Sequence, residues 1–357
     1  MNCRQTTGSA GLPTYSFIII LFFVMPGCKS SKLLLEKVSE PRSGSPINNK
    51  LALVYSSRYQ ISLYKLEKLH PFDINKYAHI YLQLVTDSLI TPEDIYVPEP
   101  LNKEQILTVH NEGFLKSLES SRIVAEYLEA PLAKILPSKV LGKGVLKPFL
   151  YASGGTLEAA RQALKYGAGI NIGGGYHHAK PHKGEGFCIY ADVPIAIRIL
   201  QQEGMISKAL IIDLDVHQGN GTALIFENDE TVFTFSMHQG DIYPVPKENS
   251  DLDIELSAGT GDSEYLEILT NHVPRLFELS KPDIVFIIGG CDTLKDDPLA
   301  SLNMTEEGIV RRDWTVINAC IDYKIPVVMT LAGGYSDNAW HAQYSSIKNI
   351  IENINNM

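Results

Sequence analysis

The chain has 357 residues, 45% apolar and 20% charged, which suits one large α/β domain or two smaller ones around a sizeable core. A net charge of −10 argues against a general grip on nucleic acid, which needs a basic surface, so no direct nucleic-acid binding is expected. The five cysteines (Cys3, Cys28, Cys188, Cys291 and Cys320) form no C-x-x-C pair, which speaks against a thiolate zinc site, and their spacing suggests no disulfide framework.

Residues 1–28 read as a signal or membrane-anchor segment. Phe17 to Met25 is entirely apolar, and Arg4 is the only charge before it. About 20 apolar residues are needed to span a bilayer, so the run fits the apolar region of a secretory signal better than a membrane helix. The MPGCKSS just after it resembles a bacterial lipoprotein cleavage site and makes Cys28 a lipidation candidate. Met25 and Pro26 depart from the usual pattern there. Residues 29–50, rich in Ser, Pro, Lys and Glu, read as a flexible tether. The expected location is membrane-associated, as a lipoprotein or through an uncleaved anchor, or cytoplasmic if this segment is not a signal.

From Leu51 to Met357 there is no repeat or low-complexity break, and the stretch reads as one folded domain. LALVYSS (51–57) is a first strand. Helical periodicity runs through 75–90, 103–119 and 122–130, and GGTLEAARQALKYG (154–167) is a helix with a glycine exit. Apolar runs of strand length then end at 172, 212, 236, 288 and 331. Helical stretches at 191–203, 219–227, 262–279, 305–322 and 337–355 alternate with them. Strands that are apolar throughout and alternate with helices predict a three-layer α/β/α fold with a mostly parallel central sheet. In such sheets ligands bind outside the carboxyl ends of the strands.

Each strand end carries chemistry. GGGYHHAKPHKGEGFC (173–188) brings His177 and His178. LIIDLDVHQGNG (210–221) runs from buried-strand residues into Asp213, Asp215 and His217. Extended geometry would put those three on one face, where ionisable groups are costly unless satisfied. A divalent cation would satisfy them; a solvated loop is the plainer alternative. SMHQGDIYP (236–244) offers a His-Gln pair, the segment after 288 offers Asp292, and AGGYSDNAW (332–340) offers Tyr335. Five strands thus point at one edge. Asp215, His217 and Asp292, with coordination positions left open, have the chemistry of a catalytic metal site.

GGGYHHA, GFC, IIDLDVHQGNGT, the segment from Asp292 to DPL, and GGY, in this order, resemble the histone deacetylase superfamily over about residues 51–350. Residues 55–73 and HQGNG look most like its class IV branch. The resemblance implies an arginase/deacetylase-like fold with the active site at the C-terminal strand ends. It implies that Asp215, His217 and Asp292 bind zinc, with iron(II) an alternative. His178 would be the general base toward the attacking water, and His177 would support it electrostatically. Tyr335 would hydrogen-bond the scissile carbonyl. Asp213 would orient His177, its backbone joining a structural K+ site. Asn220 would sit behind His178, where some family members carry Asp. Phe187 and Tyr243 would wall an acyl-lysine tunnel floored by Gly174 and Gly175. The implied activity is removal of acetyl or longer acyl groups from lysine side chains of proteins. Alternatives are an amidase for small acylated amines such as polyamines, or a protein that binds metal or acyl-lysine without turnover.

Overall fold

A computed structural model describes residues 44–357. The segment 1–28, with Cys28, and the tether up to residue 43 lie outside the described residues. Among those described, no helix is long and apolar enough to cross a membrane. Ordered packing begins ahead of Leu51, in residues expected to belong to the tether. The Ser45 amide donates to Glu93 O, Ile47 bridges Leu51, and Asn48 Nδ2 donates to Ile354 O.

The strands are β1 (Leu51–Val54), β2 (Ile95–Tyr96), β3 (Ala168–Asn171), β4 (Ala209–Asp213), β5 (Val232–Gln239), β6 (Leu252–Leu256), β7 (Ile284–Ile288) and β8 (Val327–Thr330). They form one eight-stranded sheet in the order β2-β1-β3-β8-β7-β4-β5-β6. Every pairing between them is parallel.

The main helices are α1 (Lys76–Thr86), α2 (Lys147–Tyr166), α3 (Asp192–Gln202), α4 (Asn220–Phe226), α5 (Asp262–Ser280), α6 (Glu306–Tyr323) and α7 (Ala339–Asn355). The pleat sends alternate strand residues to opposite faces. Leu51, Leu53, Leu210, Ile212, Val285 and Ile287 pack with α1, α5, α6 and α7. Ala52, Val54, Ala209, Ile211, Ile284 and Phe286 pack with α2 and α3. The result is the expected three-layer α/β/α fold. At about 1.5–3 kcal/mol for each large apolar side chain taken out of water, this double-sided burial makes the strands a rigid base for the loops at their C-terminal ends.

The departures from expectation have local causes. The helix expected at 154–167 begins at Lys147, because Gly154 and Gly155 mark close approach rather than an entry. A Cβ on Gly154 would strike Glu99 O, and one on Gly155 would strike the Tyr59 hydroxyl. The helix expected at 103–119 is two short ones, Lys103–Ile106 and Glu112–Ser117. Asn111 interrupts it and caps the second by accepting from the Phe114 amide at 2.8 Å. Two edge strands carry no apolar run: β2 has two residues, and LDIEL of β6 is only half-buried. β3, β8, β7 and β4 are neighbours in the sheet, so their C-terminal ends open onto one place.

Candidate active site

β4 ends at Asp213, and the chain turns through Leu214 to His217 with the apolar Leu214 and Val216 buried in the core. Asp213, Asp215 and His217 are left to face the loops after β3, β7 and β8. Asp215 Oδ1, His217 Nδ1 and Asp292 Oδ2 converge: the nitrogen lies 3.2 Å from each oxygen. One ligand atom from each of the three residues lies within 4.8 Å of the others, and all three residues are buried.

Two carboxylates this close in a dry site call for a cation. Burial, then the charge of Asp215, pushes the Asp292 carboxyl up to about 7. Burial works against a charged His217, but the two carboxylates outweigh it and raise the imidazole to about 10. Glycine keeps the space open. A Cβ on Gly333 would run into both Asp292 and Asp215, and one on Gly290 would run into Asp215. Two oxygens and one imidazole nitrogen, buried and short of positive charge, fit a divalent metal.

The ligand loops are laced to one another through the backbone. Val216 N–H donates to Asp292 Oδ1 and Gly333 N–H to Asp215 Oδ2, both at 2.9 Å. Arg312 of α6, fully buried, donates to Leu214 O (3.2 Å) and Gly290 O (2.7 Å) and pairs with Asp313. Lys76 of α1, also buried, donates to Ala332 O (2.7 Å) and Gly333 O (3.0 Å).

The two adjacent histidines have opposite surroundings. His177 Nδ1 lies 2.8 Å from Asp213 Oδ2. Burial disfavours its charge, yet Asp213 and Asp215 prevail and raise it to about 9. His178 Nδ1 lies 2.7 Å from Asn220 Oδ1. Burial, followed by the charges of His177 and His217, holds His178 well below the ordinary histidine value. One imidazole is kept charged and its neighbour neutral, a separation suited to base catalysis.

Tyr335 follows β8, its amide held by Asp297 Oδ2 at 2.7 Å. Its ring centroid lies 6.3 Å from that of His217 and 5.8 Å from that of Phe187. Burial and then the charges of Asp215 and Asp292 hold its phenol well above the usual range, so it stays a donor at neutral pH. Tyr243 sets its ring 5.0 Å from that of His178. Gly174 and Gly175 line a cavity of about 220 Å³ that ends at His177, His178 and Tyr335 and is bordered toward the surface by Leu69 and Leu132. Asp192, buried under this loop, fixes it by accepting from the amides of Gly175 (2.9 Å) and Tyr176 (2.8 Å).

The structure thus brings His177, His178, Asp213, Asp215, His217, Asn220, Asp292 and Tyr335 together, with Gly174, Gly175 and Phe187 lining the cavity and Tyr243 beside His178 rather than in its lining; one expectation is corrected. The His-Gln pair after β5 does not join them. β5 runs on through Gln239, so His238 stays within the strand, fully buried, 2.9 Å from Ser236 Oγ. Residues given no individual role from the sequence also contribute. His70 packs edge-on against Phe187 at 4.5 Å, and Phe72 against Tyr335 at 6.0 Å. Lys76, Asp192 and Arg312 hold backbone, which leaves no motif to read.

The histone deacetylase domain model matches residues 70–351. The chain is 36% identical over 305 residues to histone deacetylase 2 of Arabidopsis thaliana, covering 85% of this chain and 79% of that relative. It is 30% identical over 286 residues to a probable deacetylase of Archaeoglobus fulgidus, covering 75% and 77% of the two chains. Among solved structures, the HDA15 HD domain superposes with a TM-score of 0.69 at 21% identity, covering 86% of this chain and 90% of that one, a likeness of fold. With the family model matching residues 70–351 and a relative 36% identical over most of both chains, the chain belongs to the histone deacetylase family.

Proposed function

We propose that this protein is a zinc-dependent deacylase that hydrolyses acetyl- or longer acyl-lysine amides. The observation that carries the proposal is the opposition of the Asp215–His217–Asp292 cluster to a neutral His178 and a protonated Tyr335 at the end of an apolar cavity. Asp215, His217 and Asp292 would hold the metal, which when bound supplies Lewis acidity and lowers the pKa of coordinated water toward about 7. Iron(II) would suit the same donors.

His178 takes the proton from the attacking water at Nε2, since Nδ1 is engaged by Asn220. It returns that proton to the leaving lysine amine. His177, charged and anchored by Asp213, offsets negative charge as it develops nearby. The Tyr335 hydroxyl donates to the carbonyl oxygen as it becomes an oxyanion. Phe187 and Tyr243 flank the approach and exclude water from the lysine stem.

The class IV resemblance of residues 55–73 supports longer acyl chains beside acetyl. Small acylated amines such as polyamines are the alternative substrates. The test is the zinc-loaded protein assayed on acetyl-lysine and myristoyl-lysine peptides beside acetylated polyamines. Turnover of a lysine peptide that is lost in His178→Ala and Tyr335→Phe, with metal retained, is expected. Turnover of polyamines alone would overturn the lysine assignment. The N-terminal apolar run and Cys28 support a lipid-anchored location. Incorporation of labelled fatty acid that depends on Cys28 is expected, and an unlabelled parent protein would overturn it.

A further inference from the structure

The base is only as good as the proton on its other nitrogen. For His178 to accept at Nε2, Nδ1 must carry hydrogen and find an acceptor. The partner here is an amide, and an amide can face either way. With Oδ1 toward His178, Asn220 accepts from Nδ1–H and leaves Nε2 free. Turned over, its Nδ2 would donate to Nδ1 and force the proton onto Nε2, the nitrogen that must be empty.

Something beyond Asn220 must therefore choose, and Glu185 stands there. Asn220 Nδ2 donates to Glu185 Oε1 at 2.9 Å. An ionised carboxylate only accepts, so the amide nitrogen has to face Glu185 and the amide oxygen His178. The same Oε1 accepts from the Tyr243 hydroxyl at 3.0 Å. The other oxygen, Oε2, is ion-paired with Lys183 and lies 3.7 Å from Lys180 Nζ. Burial resists its charge, but Lys183 and Asn220 hold the Glu185 carboxyl below the ordinary glutamate range. The loop is shaped for this approach. Gly186 has φ +52, and a Cβ there would strike the His178 ring.

We propose that Glu185 is a positioning residue for catalysis, setting the tautomer of His178 by fixing the orientation of the Asn220 amide. It touches neither substrate nor metal ligand. It rests on the deacylase reading for its consequence in rate, but not for its effect on the histidine.

The test uses the full chain labelled with ¹⁵N-histidine, reading the His178 ring nitrogens by NMR, with His178→Ala for assignment and the buried His110 signals as the folding control. In the parent, His178 is expected to carry its proton at Nδ1. In Glu185→Ala, a substantial share is expected to move to Nε2 while His110 is unchanged. That readout needs no turnover, so it separates this inference from the deacylase reading. In the peptide assay, kcat should fall by roughly tenfold or more, the scale typical of losing an outer hydrogen-bond partner. The effect should vanish in an Asn220→Asp background, because a carboxylate accepts from Nδ1–H whichever way it turns and needs no selector. An unchanged tautomer in Glu185→Ala, or an equal loss of kcat in both backgrounds, would overturn the proposal.

Discussion

Asn220 Oδ1 lies 2.7 Å from His178 Nδ1, a position at which a neutral amide stands behind the base. The neighbouring His177 has a carboxylate, Asp213, in the same relation at 2.8 Å. This difference in charge keeps one ring neutral and the other charged.

The pH dependence of the rate follows from that pair. A general base fails as pH falls through its pKa, and burial and the charged His177 hold His178 below the ordinary value of 6.5, with a metal cation at His217 adding positive charge in the same direction. The acid limb of kcat/KM is expected below pH 6.5 in the parent. In Asn220→Asp the new carboxylate favours imidazolium, so the limb should move to higher pH. A limb that moves down, or stays fixed, would contradict the assignment of His178 as base.

Gly333 gives a test of the metal site that spares the ligands themselves. A methyl group there would meet the carboxylates of Asp292 and Asp215. Disturbing groups that hold metal ligands costs roughly 10–100-fold in affinity. Gly333→Ala is expected to lose zinc affinity on that scale by calorimetry, and to lose the rise in melting temperature that zinc gives the parent. Parental zinc affinity in Gly333→Ala would argue against this donor set.

Arg312 predicts a loss of stability. Its guanidinium and the Asp313 carboxylate are both fully buried, and Asp313 also accepts from Ser346 Oγ at 2.6 Å. Arg312→Met strands a buried carboxylate and two backbone carbonyls, and about 3–5 kcal/mol of stability should be lost in urea unfolding. Replacing both partners, Arg312→Met with Asp313→Asn, should recover part of that loss, whereas a deeper loss would show that the pair does not act as a unit.

The sequence was legible where chemistry is local or periodic. Asp215 and His217 sit two residues apart at the end of an apolar run. Asp292 could be added because parallel strands end at one edge, a consequence of topology rather than of spacing. The positions of β3, β4, β7 and β8 followed from their unbroken apolar character. β6 was not legible, since Asp253 and Glu255 of LDIEL face a half-open edge. His238 misled because a histidine at a strand end and one still within the strand look alike in sequence. Lys76 and Ala332, hydrogen-bonded across 256 residues, left no trace, because the partner is a backbone carbonyl. Glu185 sits inside GEGFC with no role to read from spacing, since its meaning depends on which way the Asn220 amide turns.

The central claim is that a metal held by Asp215, His217 and Asp292 acts with His178 and Tyr335 on an acyl-lysine amide. The most direct measurement is release of free carboxylic acid and free lysine amine from an acyl-lysine peptide by the zinc-loaded protein, followed by mass spectrometry. Equal amounts of the two products are predicted, with the rate reduced by on the order of 10²–10³ in Tyr335→Phe at unchanged zinc content. A protein that binds zinc at these three residues and the peptide in its cavity, yet releases neither product, would contradict it.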